Sequence, residues 1–398
     1  MTTETMHARE GLIGQAIAAT GRRLLPRDLT GGMTLTLPSG RQHRIGFQKP
    51  GIHCDLVLRN YRPVFSAMRR GAVGFGESFM AGDVESSDIT SVLRFYLKNR
   101  DALNRAARSV FFKSLGDRLF HLLRQNTRAG ARRNISAHYD LGNAFYAHWL
   151  DETMSYSSGF FGNGAETLQA SQIAKYDLVV DALGLDKPSR ILEIGCGWGG
   201  FAEVAANRGH HVTGLTISRE QLEFARGRLG DRAEIRFQDY RDTTEQFDAI
   251  ASIEMIEAVG EANWPTYFKV LHDRLKPGGS AAVQAITIDR ALYEGYRRKA
   301  DFIQRYIFPG GMLPTKCILA EQAERAGLTF EPVQVFGHDY AQTLALWRER
   351  FEAAWPDIAK LGFDEKFRRR WTYYLSYCEA GFREGSIDVG IYRFRRPG

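Results

Sequence analysis

Residues 190 to 201 read RILEIGCGWGGF, an apolar run of Ile191, Leu192 and Ile194 that stops at four glycines, Gly195, Gly197, Gly199 and Gly200. The pattern predicts a buried strand, a tight loop and the start of a helix. Glycine suits such a loop because a backbone lying against a ligand has no room for Cβ and often needs positive φ. The helix start adds unpaired N–H groups. A nucleotide-like ligand is expected there. The same glycine spacing occurs in dinucleotide-binding folds and in turns that bind nothing, so the flanking sequence has to decide.

Downstream the chain alternates: helix (GFAEVAANRG), strand (HVTGLTI), helix (SREQLEFARGRLG), strand (AEIRFQD), strand (FDAIASIEM), a helix near WPTYFKVLHDRL, and a KPGG turn before SAAVQAIT. Alternation of this kind predicts a parallel sheet covered on both faces, with ligands beyond the carboxyl ends of the strands where their order reverses. Upstream, MTLTLPSGRQHRIGF suggests two strands around Pro38-Ser39-Gly40, then CDLVLRN, a glycine-rich stretch GAVGFGESFMAGDV, and a helical TSVLRFYLKNRD. The expected division is a small N-terminal α+β domain (residues 1–102), a linker (103–135) and an α/β domain (136–398). Residues 1–30 carry no recognisable chemistry beyond one short amphipathic stretch.

The linker is unusual in composition. Between Leu103 and Asn134, eight basic residues face only Asp117, interleaved with apolar ones such as Val110, Phe111, Leu115, Leu119 and Phe120. Such a segment can lie on an anionic bilayer or pack its apolar stripe on a neighbouring domain. The 398 residues carry a net charge of +7, which favours an anionic partner. No apolar run is long enough to cross a membrane and the N-terminus has no secretion signal, so a cytoplasmic location is expected. Cys54, Cys196, Cys317 and Cys378 lie far apart with no metal-ligand spacing, which argues for reduced thiols and against a metal site.

A dinucleotide dehydrogenase would place an acid about 20 residues after the glycines, at the end of the second strand. That place reads Gly214-Leu215-Thr216, with no acid. The third strand ends instead in Gln238-Asp239-Tyr240, where a carboxylate could accept a hydrogen bond from an adenine amino group or cap a helix. These features move the reading away from NAD, and no base-flipping pocket or reader motif supports a nucleic-acid substrate.

Six segments in order then make a specific resemblance: HYDLGNAFYAHWLDETMSYSSGFF (138–161), LEIGCGWGGFA (192–202), GLTISREQ (214–221), FQDYRD (237–242), FIQRYIFPGGMLPT (302–315) and DYAQTLALW (339–347). Through them the sequence resembles the cyclopropane-fatty-acid synthase family of S-adenosylmethionine-dependent methyltransferases, from about Thr30 to the C-terminus. The resemblance implies a class I methyltransferase fold, a Rossmann-like doubly wound sheet. It implies methyl transfer to the double bond of unsaturated phospholipid acyl chains by a protein peripheral to the inner membrane face, with a homodimer left open. A non-lipid C-methyltransferase is the nearest alternative.

By the same resemblance Tyr156 and Ser157 hold the amino-acid end of the cofactor. Glu193, Gly195, Gly197 and Gly199 form its floor, Thr216 and Gln221 take the ribose, and Gln238, Asp239 and Tyr240 frame the adenine. Methylation of an alkene leaves a carbocation, so the protein must exclude water, align the double bond and accept a proton. Aromatic faces from residues such as Phe145, Phe160, Phe308 and Trp347 would tolerate that cation. In related cyclopropane synthases a bicarbonate held by cysteine, glutamate, histidine and tyrosine takes the proton. This chain keeps Glu257 and Tyr340 but has Ser158 in place of the cysteine, Gln284 in place of the histidine, and Ala258 beside the glutamate. Serine and glutamine can still donate to an anion, but a neutral amide supplies none of a histidine's charge. Bicarbonate is therefore the weaker expectation, and a methyl- or methylene-branched product is preferred over a cyclopropane.

Overall fold

The structure, a computed structural model, describes residues 28–108, 141–162 and 164–398. The N-terminal amphipathic stretch and nearly all of the basic linker lie outside the described residues. The chain forms two compact units, one of residues 1–116 with 363–384, the other of residues 117–362 with 385–398.

In the first unit, strands β1 (Thr30–Thr36), β2 (Gln42–Gly46), β3 (Lys49–Leu58) and β4 (Val84–Glu85) form a sheet in the order β2-β1-β3-β4. The expected hairpin around Pro38-Ser39-Gly40 is present, with β1 and β2 antiparallel and Gly40 at φ +79°. The glycine-rich stretch, up to Met80, is the second half of the helix Arg62–Met80. Its glycines are spent on a break rather than on a loop. Gly71 sits at φ 59°, and the backbone folds so closely there that a Cβ on Gly74 would lie 2.2 Å from the Ser66 carbonyl oxygen. Here the close approach of the two halves, absent from any periodicity, decides where glycine is needed.

Glu365–Arg383, a helix within the 136–398 segment, groups with the first unit. Asp364 caps it, and its Tyr373 ring packs on Phe75 and Phe79 at 6.3 and 5.6 Å. Thr90 Oγ1 donates to the buried Glu379 at 3.3 Å, and Arg94 Nε pairs with Glu384 at 2.8 Å. Local pattern reveals that a helix is amphipathic but not which of two cores receives its apolar face.

The second unit holds β5 (Arg190–Ile194), β6 (His211–Thr216), β7 (Ala233–Phe237), β8 (Phe247–Ile253), β9 (Leu275–Ile288), β10 (Thr329–Val335) and β11 (Ile387–Arg395). Their order is β10-β11-β9-β8-β5-β6-β7. Strands β5 to β9 are parallel as expected, whereas β11 runs antiparallel between β9 and β10. The KPGG turn is a slip in the ladder: pairing jumps from Phe247 with Leu275 to Ala249 with Ser280. Because β6 and β7 extend one way from β5 while β8 and β9 extend the other, the order reverses between β5 and β8. That opens a crevice at their carboxyl ends. Buried Leu192, Ile194, Ile250, Phe268, Leu271 and Val283 pack the sheet beneath it.

Candidate active site

At the end of β5 the chain turns through Gly195 (φ +83°), Gly197 (φ +52°) and Gly199 (φ +87°) into the helix Gly200–Asn207. A Cβ on Gly195 would meet Met255 at 3.0 Å and one on Gly199 would meet Leu229 at 2.9 Å. At Gly197 it would meet nothing within 4 Å, so the loop leaves room on that side. Glu193, which precedes the loop, is buried, and its Oε2 has no hydrogen-bond partner among the described residues. Burial pushes its carboxyl up to about 8, against the pull of Lys175.

At the end of β6 the Thr216 hydroxyl donates to Gln221 Oε1 at 2.9 Å and accepts from the Ser218 N–H at 3.1 Å, so the two expected ribose residues meet. After β7, Asp239 is buried and takes two hydrogen bonds from the Arg241 guanidinium, at 2.8 and 2.6 Å. It also accepts from the Arg241 N–H, capping the turn 240–242. The capping role weighed from sequence is thus real, and Arg241 is an additional partner that the sequence did not suggest. Gln238 Nε2 reaches Thr243 at 3.4 Å, and the Tyr240 ring lies edge-on to Tyr267, its hydroxyl pushed up to about 12 by burial.

Tyr156 sits among the rings of Tyr146, Trp149 and Trp347, at 5.4, 5.5 and 5.4 Å. Trp149 and Trp347 are fully buried and serve as core, while Tyr156 and Phe308 stay partly exposed. The next residue, Ser157, is held from the helix Leu168–Leu183: Gln172 Nε2 donates to its carbonyl at 2.7 Å and Lys175 Nζ to its hydroxyl at 2.6 Å.

Tyr340, Gln284 and Ser158, expected around Glu257, converge on Glu254 instead. Glu254 Oε1 accepts the Ser158 N–H at 2.9 Å and Gln284 Nε2 at 2.7 Å, and Oε2 accepts the Tyr340 hydroxyl at 2.6 Å. The Ser158 side chain plays no part, since its hydroxyl donates to the Gly159 carbonyl at 2.8 Å. Glu254 lies just past β8 at φ 49°, a conformation that costs a non-glycine residue about 1–3 kcal/mol. Its N–H donates to the Gln284 carbonyl at 2.9 Å, so that residue brackets it twice. Burial raises the Glu254 carboxyl, while Tyr340, the Ser158 N–H, Lys175 and Gln284 favour its ionised form.

Glu257, one helical turn on, accepts from the Ile286 N–H at 2.5 Å. Its Oε2 is buried without a partner among the described residues. Burial, and then repulsion from Glu254, pushes its carboxyl up to about 8. The pair therefore divides: Glu254 has the donors of an anion and Glu257 the surroundings of a neutral acid. Sequence reading missed Glu254 although it lies in the same SIEMIE segment. The donors that would have betrayed it come from positions 96, 30 and 86 residues away.

A model of the mycolic acid cyclopropane synthetase family matches residues 126–392. The tuberculostearic acid methyltransferase UfaA1 of Mycobacterium tuberculosis is 39% identical over 98% of this chain and 93% of its own length. The chain belongs to the cyclopropane synthetase family. The cyclopropane-fatty-acyl-phospholipid synthase of Escherichia coli K12 is 37% identical over 86% of the chain and 88% of its own length. Among solved structures, mycolic acid cyclopropane synthase CmaA1 complexed with SAH and CTAB aligns at a TM-score of 0.63 with 31% identity, covering 67% of this chain and 98% of that one.

As a member of the cyclopropane synthetase family the protein is an S-adenosylmethionine-dependent methyltransferase. The open side at Gly197, the unpartnered Glu193 oxygen and the paired Thr216 and Gln221 fit that cofactor. Bicarbonate does not fit as the anion between Tyr340, Gln284 and Ser158, because the Glu254 carboxylate already takes their hydrogen bonds. No helix among the described residues is long and apolar enough to cross a membrane.

Gly197→Val fills the space left beside the loop and strains the backbone at φ +52°, so it should abolish binding of S-adenosylhomocysteine in calorimetry and lower the thermal transition without removing it. Retained affinity in the folded variant would remove Gly197 from the cofactor floor.

Proposed function

We propose that the protein methylates the double bond of unsaturated acyl chains in membrane phospholipids, gives a methyl- or methylene-branched alkene, and uses Glu254 to accept the proton. The observation that carries this reading is the convergence of three donors on Glu254. When bound, S-adenosylmethionine supplies an electrophilic methyl group. Transfer to one alkene carbon leaves positive charge on the other, and one proton must leave. Loss from the added methyl closes a cyclopropane, whereas loss after a hydride shift leaves a branched alkene. Tyr340, Gln284 and the Ser158 N–H hold Glu254 at a set point at the strand ends, with Tyr156 and Phe308 as partly exposed aromatic faces nearby. A carboxylate tied to the backbone has a shorter reach than a free anion, and its reach selects which proton leaves.

The near full-length likeness to a tuberculostearic acid methyltransferase supports the branched product. Likeness to cyclopropane synthases favours a ring as the second reading. Lipids from cells expressing the protein would gain one methylene unit in either case, so NMR of the modified chain is needed to separate them. In turnover assays, Glu254→Gln should cost roughly 10² to 10⁴-fold, the range for a positioned proton acceptor, with cofactor affinity retained. Glu257→Gln should cost less. Wild-type turnover should fall as pH drops through a value above the ordinary carboxylate range, because burial raises the Glu254 carboxyl. Full activity in Glu254→Gln would remove it from the mechanism.

We further propose that anionic lipid brings the enzyme to the inner face of the membrane. The support is the charge of Leu103–Arg133, eight basic residues against one acid. We expect support from the basic run Arg297, Arg298 and Lys299, in which Arg297 and Arg298 pair with Glu261 and Glu294 and Lys299 is exposed. Co-sedimentation with vesicles should need anionic lipid and weaken with salt. Equal binding to neutral vesicles at high salt would contradict the role of charge.

A further inference from the structure

The helix Leu168–Leu183 turns polar where a core helix would be apolar. Ser171, Gln172 and Lys175 are fully buried, with Tyr176 almost so, and all four grip residues 155–160. The Ser171 carbonyl accepts the Phe160 N–H at 2.9 Å, and the Tyr176 and Ser155 hydroxyls lie 2.6 Å apart. Gln172 and Lys175 hold the two oxygens of Ser157. One peptide further on is the Ser158 N–H that binds Glu254.

Lys175 is the one lysine or arginine in the buried class among the described residues. An ammonium is costly to bury, and this one has no carboxylate at ion-pair distance there. Its hydrogen bond goes to a neutral hydroxyl, and its Nζ lies 4.0 Å over the Tyr176 ring. The charges that face it are the Glu254, Asp151 and Glu193 carboxylates, from the end of β8, the segment before Tyr156 and β5. Glu254 in turn faces Tyr340 and Glu257. A buried cation with no direct ion pair, set behind the peptide that binds an anion, suits a long-range counter-charge.

We propose that Lys175 is a positioning residue for proton transfer: it fixes Ser157, thereby aims the Ser158 N–H at Glu254, and supplies the positive charge that keeps this buried carboxylate an anion. The inference rests on the reading of Glu254 as the proton acceptor. Burial works against the ammonium and lowers it to about 7 despite the three carboxylates, so the cation is present below neutral pH and lost above it.

The test compares Lys175→Met, of similar length and apolar, and Lys175→Gln, which can still donate to Ser157, with the wild-type chain. Turnover on vesicles of monounsaturated phospholipid is followed against pH, and S-adenosylhomocysteine affinity is measured by calorimetry. Without the positive charge the acid limb of the kcat profile should move up by about one pH unit. Turnover near neutral pH should fall by roughly tenfold or more while cofactor affinity stays within about threefold. An unmoved acid limb in folded Lys175→Gln would overturn the proposal. So would a loss of activity matched by an equal loss of cofactor affinity, or loss of the thermal transition in both variants, which would make Lys175 a folding residue. Glu254→Gln in the same assay separates the two readings. Full activity there sinks Glu254 as the acceptor, whereas an inactive Glu254→Gln beside Lys175 variants with a wild-type limb sinks only the role of Lys175.

Discussion

A carboxylate withdrawn from water at the end of a parallel strand has to find its donors elsewhere in the fold, and the second unit is arranged to supply them to Glu254. The Ser158 N–H comes from the segment ahead of the helix Leu168–Leu183, the Gln284 amide from β9, and the Tyr340 hydroxyl from the helix Gly337–Ala353. With Glu254 ionised, each contact is a charge-assisted hydrogen bond, the kind that is strong enough to set a geometry. Glu254 holds left-handed backbone to reach them, and strain of that sort persists where the surroundings over-determine it.

Two acids three residues apart then acquire different characters from their surroundings alone. Glu254 has three donors and a distant ammonium, while Glu257 has backbone N–H donors and a carboxylate neighbour. The second therefore keeps its proton to about 8, which lets the first carry the negative charge. The backbone of Glu257 has a separate use, since its carbonyl accepts the Met312 N–H at 2.8 Å and so anchors the FPGGM segment to the same strand end. The aromatic residues divide as well. Trp149 and Trp347 are packing, whereas Tyr156, Phe160, Phe161 and Phe308 keep partial exposure.

Local chemistry made much of this legible. The apolar runs and glycines at 190–201, Thr216 without a neighbouring acid, and the order of six segments lead to the sheet, the cofactor and the family. What depends on distant segments was not legible. The return of Glu365–Arg383 to the first unit and the insertion of β11 between β9 and β10 are tertiary choices that no local periodicity encodes. Ser158, Gln284 and Tyr340 were expected to hold an anion beside Glu257, whereas the Ser158 N–H, the Gln284 amide and the Tyr340 hydroxyl donate to Glu254; motif spacing cannot report that the backbone at 254 turns left-handed and swings its carboxylate between them. The burial of Lys175 is likewise a tertiary outcome that the local sequence does not mark.

We propose that an internal carboxylate, Glu254, takes the part for which the family resemblance implied a bound bicarbonate. The most direct test is the turnover of the wild-type enzyme in rigorously bicarbonate-free buffer, compared with the same reaction after bicarbonate is restored. The account predicts equal rates, because the hydrogen bonds of Tyr340, Gln284 and Ser158 are already taken by Glu254. A saturable stimulation by bicarbonate would contradict it.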